Sequence, residues 1–350
     1  MTRQLAVALA GVAVLFTTGS GHAKTQAPSG FAARIAALSE PGGFFDTDNL
    51  ISNERGYLRV LPALTAARVS GGAYIGVGPD QNFSYIAHIR PDIAFIVDLR
   101  RDNLLLHLLL KALFTAANTR VEYVSLLFGR SPPTHPAEWR DASAERLLDH
   151  AQGSSAHPPS SDDRARIEGI IRSFGVPLSD ADLETIRRFH RTFAERGPSL
   201  KFTTFGRAPR DIYPTYRDLL VARSSEGDGS YLASEERFNV VRSLQQRDLI
   251  IPVVGDVAGD TAVPAVGRFM IERKSRLSAI YVSNVESYLS GDGRFATWID
   301  NLASLPRTER SVVIRSVFGG SASSSLVQRV DELVKGYAAG RFRSYYELTR

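Results

Sequence analysis

Residues 71–99 read Gly71-Gly72-Ala73-Tyr74-Ile75-Gly76-Val77-Gly78-Pro79-Asp80, Gln81-Asn82-Phe83-Ser84-Tyr85-Ile86-Ala87-His88-Ile89-Arg90-Pro91, then Asp92-Ile93-Ala94-Phe95-Ile96-Val97-Asp98-Leu99. Residues 73–76 form a short apolar run that predicts a strand, and Val77-Gly78-Pro79-Asp80 predicts a turn. Asp80, Gln81 or Asn82 is placed to cap a helix reaching about Ile89, with Phe83, Ile86 and Ala87 on one face. Arg90-Pro91 ends it, because the residue before a proline is steered out of the helical region. Residues 94–97 are continuously apolar, the pattern of a strand buried on both faces, and the run finishes in Asp98. Asp102 or Asn103 is then placed to cap a helix over 104–117. The order is strand, glycine turn, helix, strand, acid, helix: a βαβ unit and its next helix.

A similar alternation returns later. Residues 249–254 predict a strand ending in Gly255-Asp256, with Pro252 marking an edge, an end or a bulge. Helices are expected over 262–273, 294–305 and 326–338. Strands are expected over 277–282 and 311–318, with 341–348 offering a final one. Such alternation argues for an α/β fold with a doubly wound, mostly parallel, Rossmann-like sheet. Between the halves, 130–161 is rich in Pro, Ser and His, and 162–174 and 179–196 are charged and amphipathic, with Ser179 and Asp182 spaced as a capping pair. Residues 203–216 are aromatic and basic without a clear period. The expected organisation is a signal peptide over 1–23, a leader and N-terminal helix over 24–40, sheet halves over 41–117 and 249–350, and a mostly helical insertion over 118–248.

The 350 residues leave room for about two domains, or one large domain with an insertion. The composition is 43% hydrophobic and 23% charged, which excludes a fully disordered chain. Net charge is +5, and only five of the 42 basic residues are Lys. A phosphate- or nucleic-acid-binding surface is one reading, an arginine-for-lysine habit the other. The arginines alternate with acids rather than forming a basic run, which favours the second, so no nucleic-acid partner is expected. The absence of Cys excludes disulfides, thiolate metal sites and Cys nucleophiles. No two His stand at zinc-ligand spacing, and neither a G-x-S-x-G elbow nor a P-loop occurs. Arg3, the apolar run 5–16 and Gly21-His22-Ala23 read as a secretory signal cut before Lys24, with an uncleaved anchor or a misassigned start codon as the alternative. Twelve apolar residues fall short of the ~20 that span a bilayer. A periplasmic or secreted protein without a membrane span after cleavage is therefore expected.

The chemistry-bearing residues cluster at predicted strand ends. Gly76, Gly78 and Pro79 form a turn whose small residues let backbone N–H groups approach a small-molecule ligand, and the N-terminus of the next helix adds partial positive charge. Asp98 follows Gly78 by 20 residues, the place from which a carboxylate accepts both hydroxyls of a ribose. Asp256 and Asp260 stand beside Gly255 and Gly259 and suit either adenine or metal contact, or plain turn chemistry. Asn284 suits a substrate clamp and Glu286 a general base; the alternative is that both cap the next element. Asn53-Glu54-Arg55 is placed to close over the same mouth. His107 and Lys111 share one helical face and read as packed positions.

The runs Ile75-Gly76-Val77-Gly78-Pro79, Phe95-Ile96-Val97-Asp98-Leu99, Val254-Gly255-Asp256 and Tyr281-Val282-Ser283-Asn284 resemble the core of class I S-adenosylmethionine-dependent methyltransferases. The resemblance covers about half of the chain. It implies a glycine loop (with Asp80 and Asn82) at the methionine end of S-adenosylmethionine, Asp98 at the ribose, Asp256 near the adenine, and Asn284 facing the substrate. The sequence departs from that pattern at two points: Tyr74 stands where an acid is usual, and Asp80 stands where a third glycine is. The blocks GVGPDQNFSYIA, FIVDLRRDN and YVSNVESYL also resemble an uncharacterised bacterial family, over most of residues 40–320. Two functions are compatible: a methyltransferase-like enzyme binding S-adenosylmethionine or a related nucleoside, or an exported, non-catalytic small-molecule-binding or interaction protein.

Overall fold

The computed structural model describes residues 30–47, 49–153, 161–205, 207–319 and 322–349. The expected signal peptide over 1–23 and the leader up to residue 29 lie outside the described residues.

Six strands form the central sheet: β1 (Ala73–Gly76), β2 (Ile93–Asp98), β3 (Ile250–Val254), β4 (Leu277–Tyr281), β5 (Arg307–Gly319) and β6 (Ala322–Arg329). Their order is β3-β2-β1-β4-β5-β6. The first five run parallel, and β6 returns antiparallel to β5. The chain is therefore an α/β protein with a mostly parallel, Rossmann-like sheet flanked by helices. The order reverses at β1, so the chain leaves to opposite sides from β1 and β4. That reversal opens a crevice at the carboxyl ends of the strands.

Parallel strands covered on both faces need apolar residues at every position. All of β1 and β3 is buried, as is β2 up to Val97. Pro252 lies in β3, the edge strand of the sheet, where a missing N–H costs no ladder bond on the open side. The helix Gln81–Ile89 follows β1 and stops at Arg90, which adopts φ 52°, ahead of Pro91. The helix Arg101–Ala116 is buried without a break from Asn103 to Phe114. The sheet covers one side of it, and the helices Ser161–Ser173, Asp180–Arg196 and Glu235–Gln246 cover the rest. Ser179 and Asp182 form the capping box, and Asp182 also receives Arg101 Nε at 2.9 Å.

Two expectations near the C-terminus are corrected. Residues 326–329 belong to the strand Ala322–Arg329 rather than to the expected helix, which is confined to Val330–Ala338. The run Ser323-Ser324-Ser325 has weak helical preference, and the β5 ladder supplies a partner for every residue from Ala322 to Arg329. The tail forms the short helix Tyr345–Leu348 instead of a strand. Ser344 caps it through Glu347 N, and the Tyr345 hydroxyl reaches back to the Ser316 carbonyl at 2.9 Å.

Candidate functional site

A cleft of about 500 Å³ opens over the carboxyl ends of β1 to β4. This is the size range of small-molecule sites. Gly78 and Pro79 line it from the loop after β1, Asp98 and Arg100 from the end of β2, Asp256 from beyond β3, and Asn284 from beyond β4. Phe44 to Thr47 and a segment around Phe202 and Tyr213 line its mouth. The Phe205 N–H donates to the Asp46 carbonyl at 2.8 Å, tying these two segments together.

The glycine loop is fastened from below. Asn82 is fully buried, and its Nδ2 donates to the carbonyls of Pro79 at 2.7 Å and Val77 at 2.9 Å. Its Oδ1 accepts from the Tyr74 hydroxyl at 2.7 Å. The departure at position 74 thus has a local cause: the phenol orients the asparagine that holds the loop. Gly76 does not line the cleft. A Cβ there would stand 1.9 Å from Asn82 Oδ1, so this glycine serves the packing of the loop. Gly78 adopts φ 79°, a conformation that favours glycine. Its carbonyl lies 2.9 Å from His107 Nε2. Burial lowers the His107 pKa to about 4, so the ring is neutral and Nε2–H is the donor.

Asp80 lies beneath the cleft rather than in it. It occupies the N-cap of Gln81–Ile89 without making a side-chain cap. Its Oδ2 instead accepts from the hydroxyls of Tyr216 at 2.5 Å and Tyr231 at 3.1 Å. Burial raises its pKa to about 6, and the two phenols restrain that rise. A carboxylate aimed at the ligand is therefore avoided, and Asp80 ties the strand β1 turn to the segment between the halves.

The two acids at strand ends are engaged by arginines. Asp98 Oδ1 accepts from Arg100 N at 2.9 Å and Nε at 3.3 Å, while Arg100 Nη1 donates to the Thr47 carbonyl at 2.6 Å. Asp256 Oδ2 accepts from Arg294 Nη1 at 2.7 Å. Both acids still line the cleft, so a ligand meets charge-paired carboxylates. Asn284 lines it too. Glu286 does not: it is fully buried, pairs with Arg315 Nε at 2.5 Å, and accepts from Trp298 Nε1 at 3.0 Å. A general-base role at Glu286 has no geometric support, because the helix beginning at Val285 turns its side chain toward β5. Among the described residues, no group of three or more His, Asp and Glu is gathered to hold a metal ion.

Sequence reasoning placed Ser283 in a candidate run at a strand end but gave it no role. It lines the cleft, adopts φ 50°, and donates its hydroxyl to Glu54 Oε1. Asn53-Glu54-Arg55 divides three ways: Asn53 lines the cleft, Glu54 is buried behind Ser283, and Arg55 faces Asp218 at 3.3 Å. The signal that would have found the pair is an acid between apolar runs, since an unpaired carboxyl is rarely buried without a task.

A family profile described as a domain of unknown function (DUF7790) matches residues 50–135 and 178–336. No curated protein matches the chain.

Proposed function

The chain belongs to the DUF7790 family, and we propose that it is a methyltransferase-like protein binding S-adenosylmethionine or a related nucleoside in the cleft over β1 to β4. The supporting observation is the meeting of Gly78, Asp98 and Asp256 at one cleft, on the adjacent strand ends of β1, β2 and β3, where the sheet order reverses. The Gly78 loop takes the methionine end, Asp98 the ribose, and Asp256 the adenine side, leaving Asn284 toward the substrate. Isothermal titration of the purified chain with S-adenosylmethionine and S-adenosylhomocysteine tests this. Saturable heat that is weakened at least about tenfold by Asp98→Ala is expected, the loss of one charge-assisted bond. No heat with either compound at high micromolar concentration removes this cofactor assignment.

A second reading is favoured by the Asp98–Arg100 pair and by the withdrawal of Glu286. In it the cleft holds a small molecule without catalysis, in a protein exported to the periplasm or beyond. A fusion of residues 1–30 to alkaline phosphatase tests the export part, and an inactive reporter counts against it.

A further inference from the structure

We propose that Ser283 is a nucleophilic serine activated by Glu54, placed to take an acyl group from an ester or thioester bound in the cleft. This does not rest on the nucleoside reading, because it uses the end of β4 rather than the glycine loop.

Three observations carry it. First, Ser283 stands on the turn between β4 and the helix Val285–Gly291 at φ 50°, a region that residues other than Gly, Asn and Asp rarely enter. The turn is locked on both sides: the Ser316 N–H donates to the Ser283 carbonyl at 2.7 Å and the Val282 N–H to the Ile314 carbonyl at 3.0 Å. Retained strain at a strand-to-helix turn is the way a fold pushes one side chain out over the strand ends. Unlike a G-x-S-x-G elbow, this turn has Tyr281 and Val285 at the flanking positions.

Second, Glu54 lies directly behind the hydroxyl. It is 1% exposed, and its carboxylate accepts from Tyr281 Oη at 2.7 Å and from the hydroxyls of Ser283 and Ser316. Among the described residues, none of its hydrogen-bond partners is a cation. Glu286 provides the contrast: equally buried, it is matched to an arginine and reads as structural. Tyr281 and Ser316 are fully buried, and of Glu54's three hydroxyl partners Ser283 alone lines the cleft. Burial also pushes the Glu54 pKa up, which strengthens it as a base.

Third, the backbone N–H groups of Ser283 and Asn284 have no hydrogen-bond partner among the described residues. The N–H after a nucleophile is one of the usual donors to a developing oxyanion.

The steps balance. Ser283 Oγ bonds to the carbonyl carbon as its proton passes to Glu54. The tetrahedral intermediate collapses, breaking the bond to the leaving group, which takes the proton from Glu54. Water then attacks the acyl-serine, gives a proton to Glu54, and Ser283 Oγ recovers that proton as the acid departs.

The charged and titratable groups facing Glu54 are Tyr281 on β4, Tyr74 on β1, Tyr85 on Gln81–Ile89, and Tyr345 on Tyr345–Leu348. Burial raises all four phenols, so they stay neutral while Glu54 ionises. Tyr345 also feels the Glu286–Arg315 pair.

The test is labelling of the purified chain with a fluorophosphonate probe, followed by peptide mass spectrometry. An adduct on the Ser283 peptide is expected, absent in Ser283→Ala. The labelling rate is expected to fall about 100-fold or more in Glu54→Gln with an unchanged circular dichroism spectrum. In the unaltered chain the rate rises with pH as Glu54 loses its proton, at a pH above the ordinary carboxylate range. The proposal is overturned by no adduct on Ser283 while a serine hydrolase labels in parallel, or by equal rates in Glu54→Gln. If that variant does not fold, a rate that shows no rise with pH above the ordinary carboxylate range overturns it equally. The nucleoside titrations above fail or succeed separately from this labelling.

Discussion

The Tyr216 hydroxyl donates to Asp80 Oδ2 at 2.5 Å across 136 residues of chain, and Tyr231 reaches the same oxygen at 3.1 Å. One buried carboxyl thus joins the turn after β1 to a segment that closes the mouth of the sheet. The cost of burying it is met by phenols rather than by a cation, so its protonation state matters to the fold.

That cost gives a pH dependence of defined sign. The Asp80 pKa is raised from 3.8 to about 6, chiefly by burial. The folded chain therefore holds this proton more tightly than the unfolded one. The stabilisation is complete below pH 3.8 and is lost as pH rises to about 6. The shift corresponds to about 3 kcal/mol, as an order of magnitude. The neighbouring phenols of Tyr57, Tyr123, Tyr216 and Tyr231 are all raised and do not titrate in that window. Urea midpoints at pH 4 and pH 7 should converge in Asp80→Asn relative to the parent. An identical pH dependence in both chains would refute the assignment.

The Tyr74–Asn82 contact predicts a coupling. Tyr74→Phe leaves Asn82 Oδ1 buried without its donor, at about 1–3 kcal/mol. Asn82→Ala should cost more, because the Val77 and Pro79 carbonyls also lose their donor. The double variant should cost less than the sum of the two. Additive losses in chemical denaturation would show that the phenol and the loop act independently.

Much of the frame was legible because parallel strands advertise themselves. The runs at 73–76, 94–97 and 249–254 are apolar at every position, and each lies on or within one residue of an observed strand. Gly78, Asp98, Asp256 and Asn284 were legible as cleft residues because strand ends of such sheets face ligand. Strand β6 was not legible: its serines carry no helical or strand period, and only pairing with β5 decides it. The arginine partners of Asp98 and Asp256 were hidden for another reason. Arg100 lies two residues from Asp98, but Arg294 comes from 38 residues beyond Asp256. The Glu54–Ser283 pair spans 229 residues, so the acid between apolar runs marks Glu54 as unusual but does not name its partner.

The two loop glycines should behave differently on substitution. Gly76→Ala drives a Cβ against Asn82 Oδ1 and to 2.8 Å from Tyr74 Cε1. Both groups are packed and hydrogen-bonded, so about 1–3 kcal/mol is lost. Gly78→Ala meets only Gln81 Nε2 at 3.4 Å and Asn49 Nδ2 at 3.6 Å, and its cost is the φ of 79°, about 1–2 kcal/mol. Gly78 lines the cleft and Gly76 does not. The first variant should therefore lose more stability, and the second should lose ligand heat beyond what its smaller loss of stability accounts for. A reversed order in thermal unfolding would contradict the packing described for this loop.

Glu286 and Arg315 form a deeply buried ion pair, with side chains 1% and 3% exposed. Arg315 also donates Nη1 to Gln328 Oε1 at 2.7 Å, which links the pair to β6. Removing one partner leaves the other charge buried and alone, at about 3–5 kcal/mol. Glu286→Gln should therefore destabilise strongly, even though it does not touch the cleft. Replacing both, as Glu286→Leu with Arg315→Met, removes the buried charges together. Such replacements are often neutral or stabilising where packing is kept, so the double variant should recover most of the loss. Ser283 labelling should persist in it, because Glu54 rather than Glu286 stands behind that hydroxyl. A double variant that folds yet no longer labels would place Glu286 in the chemistry after all.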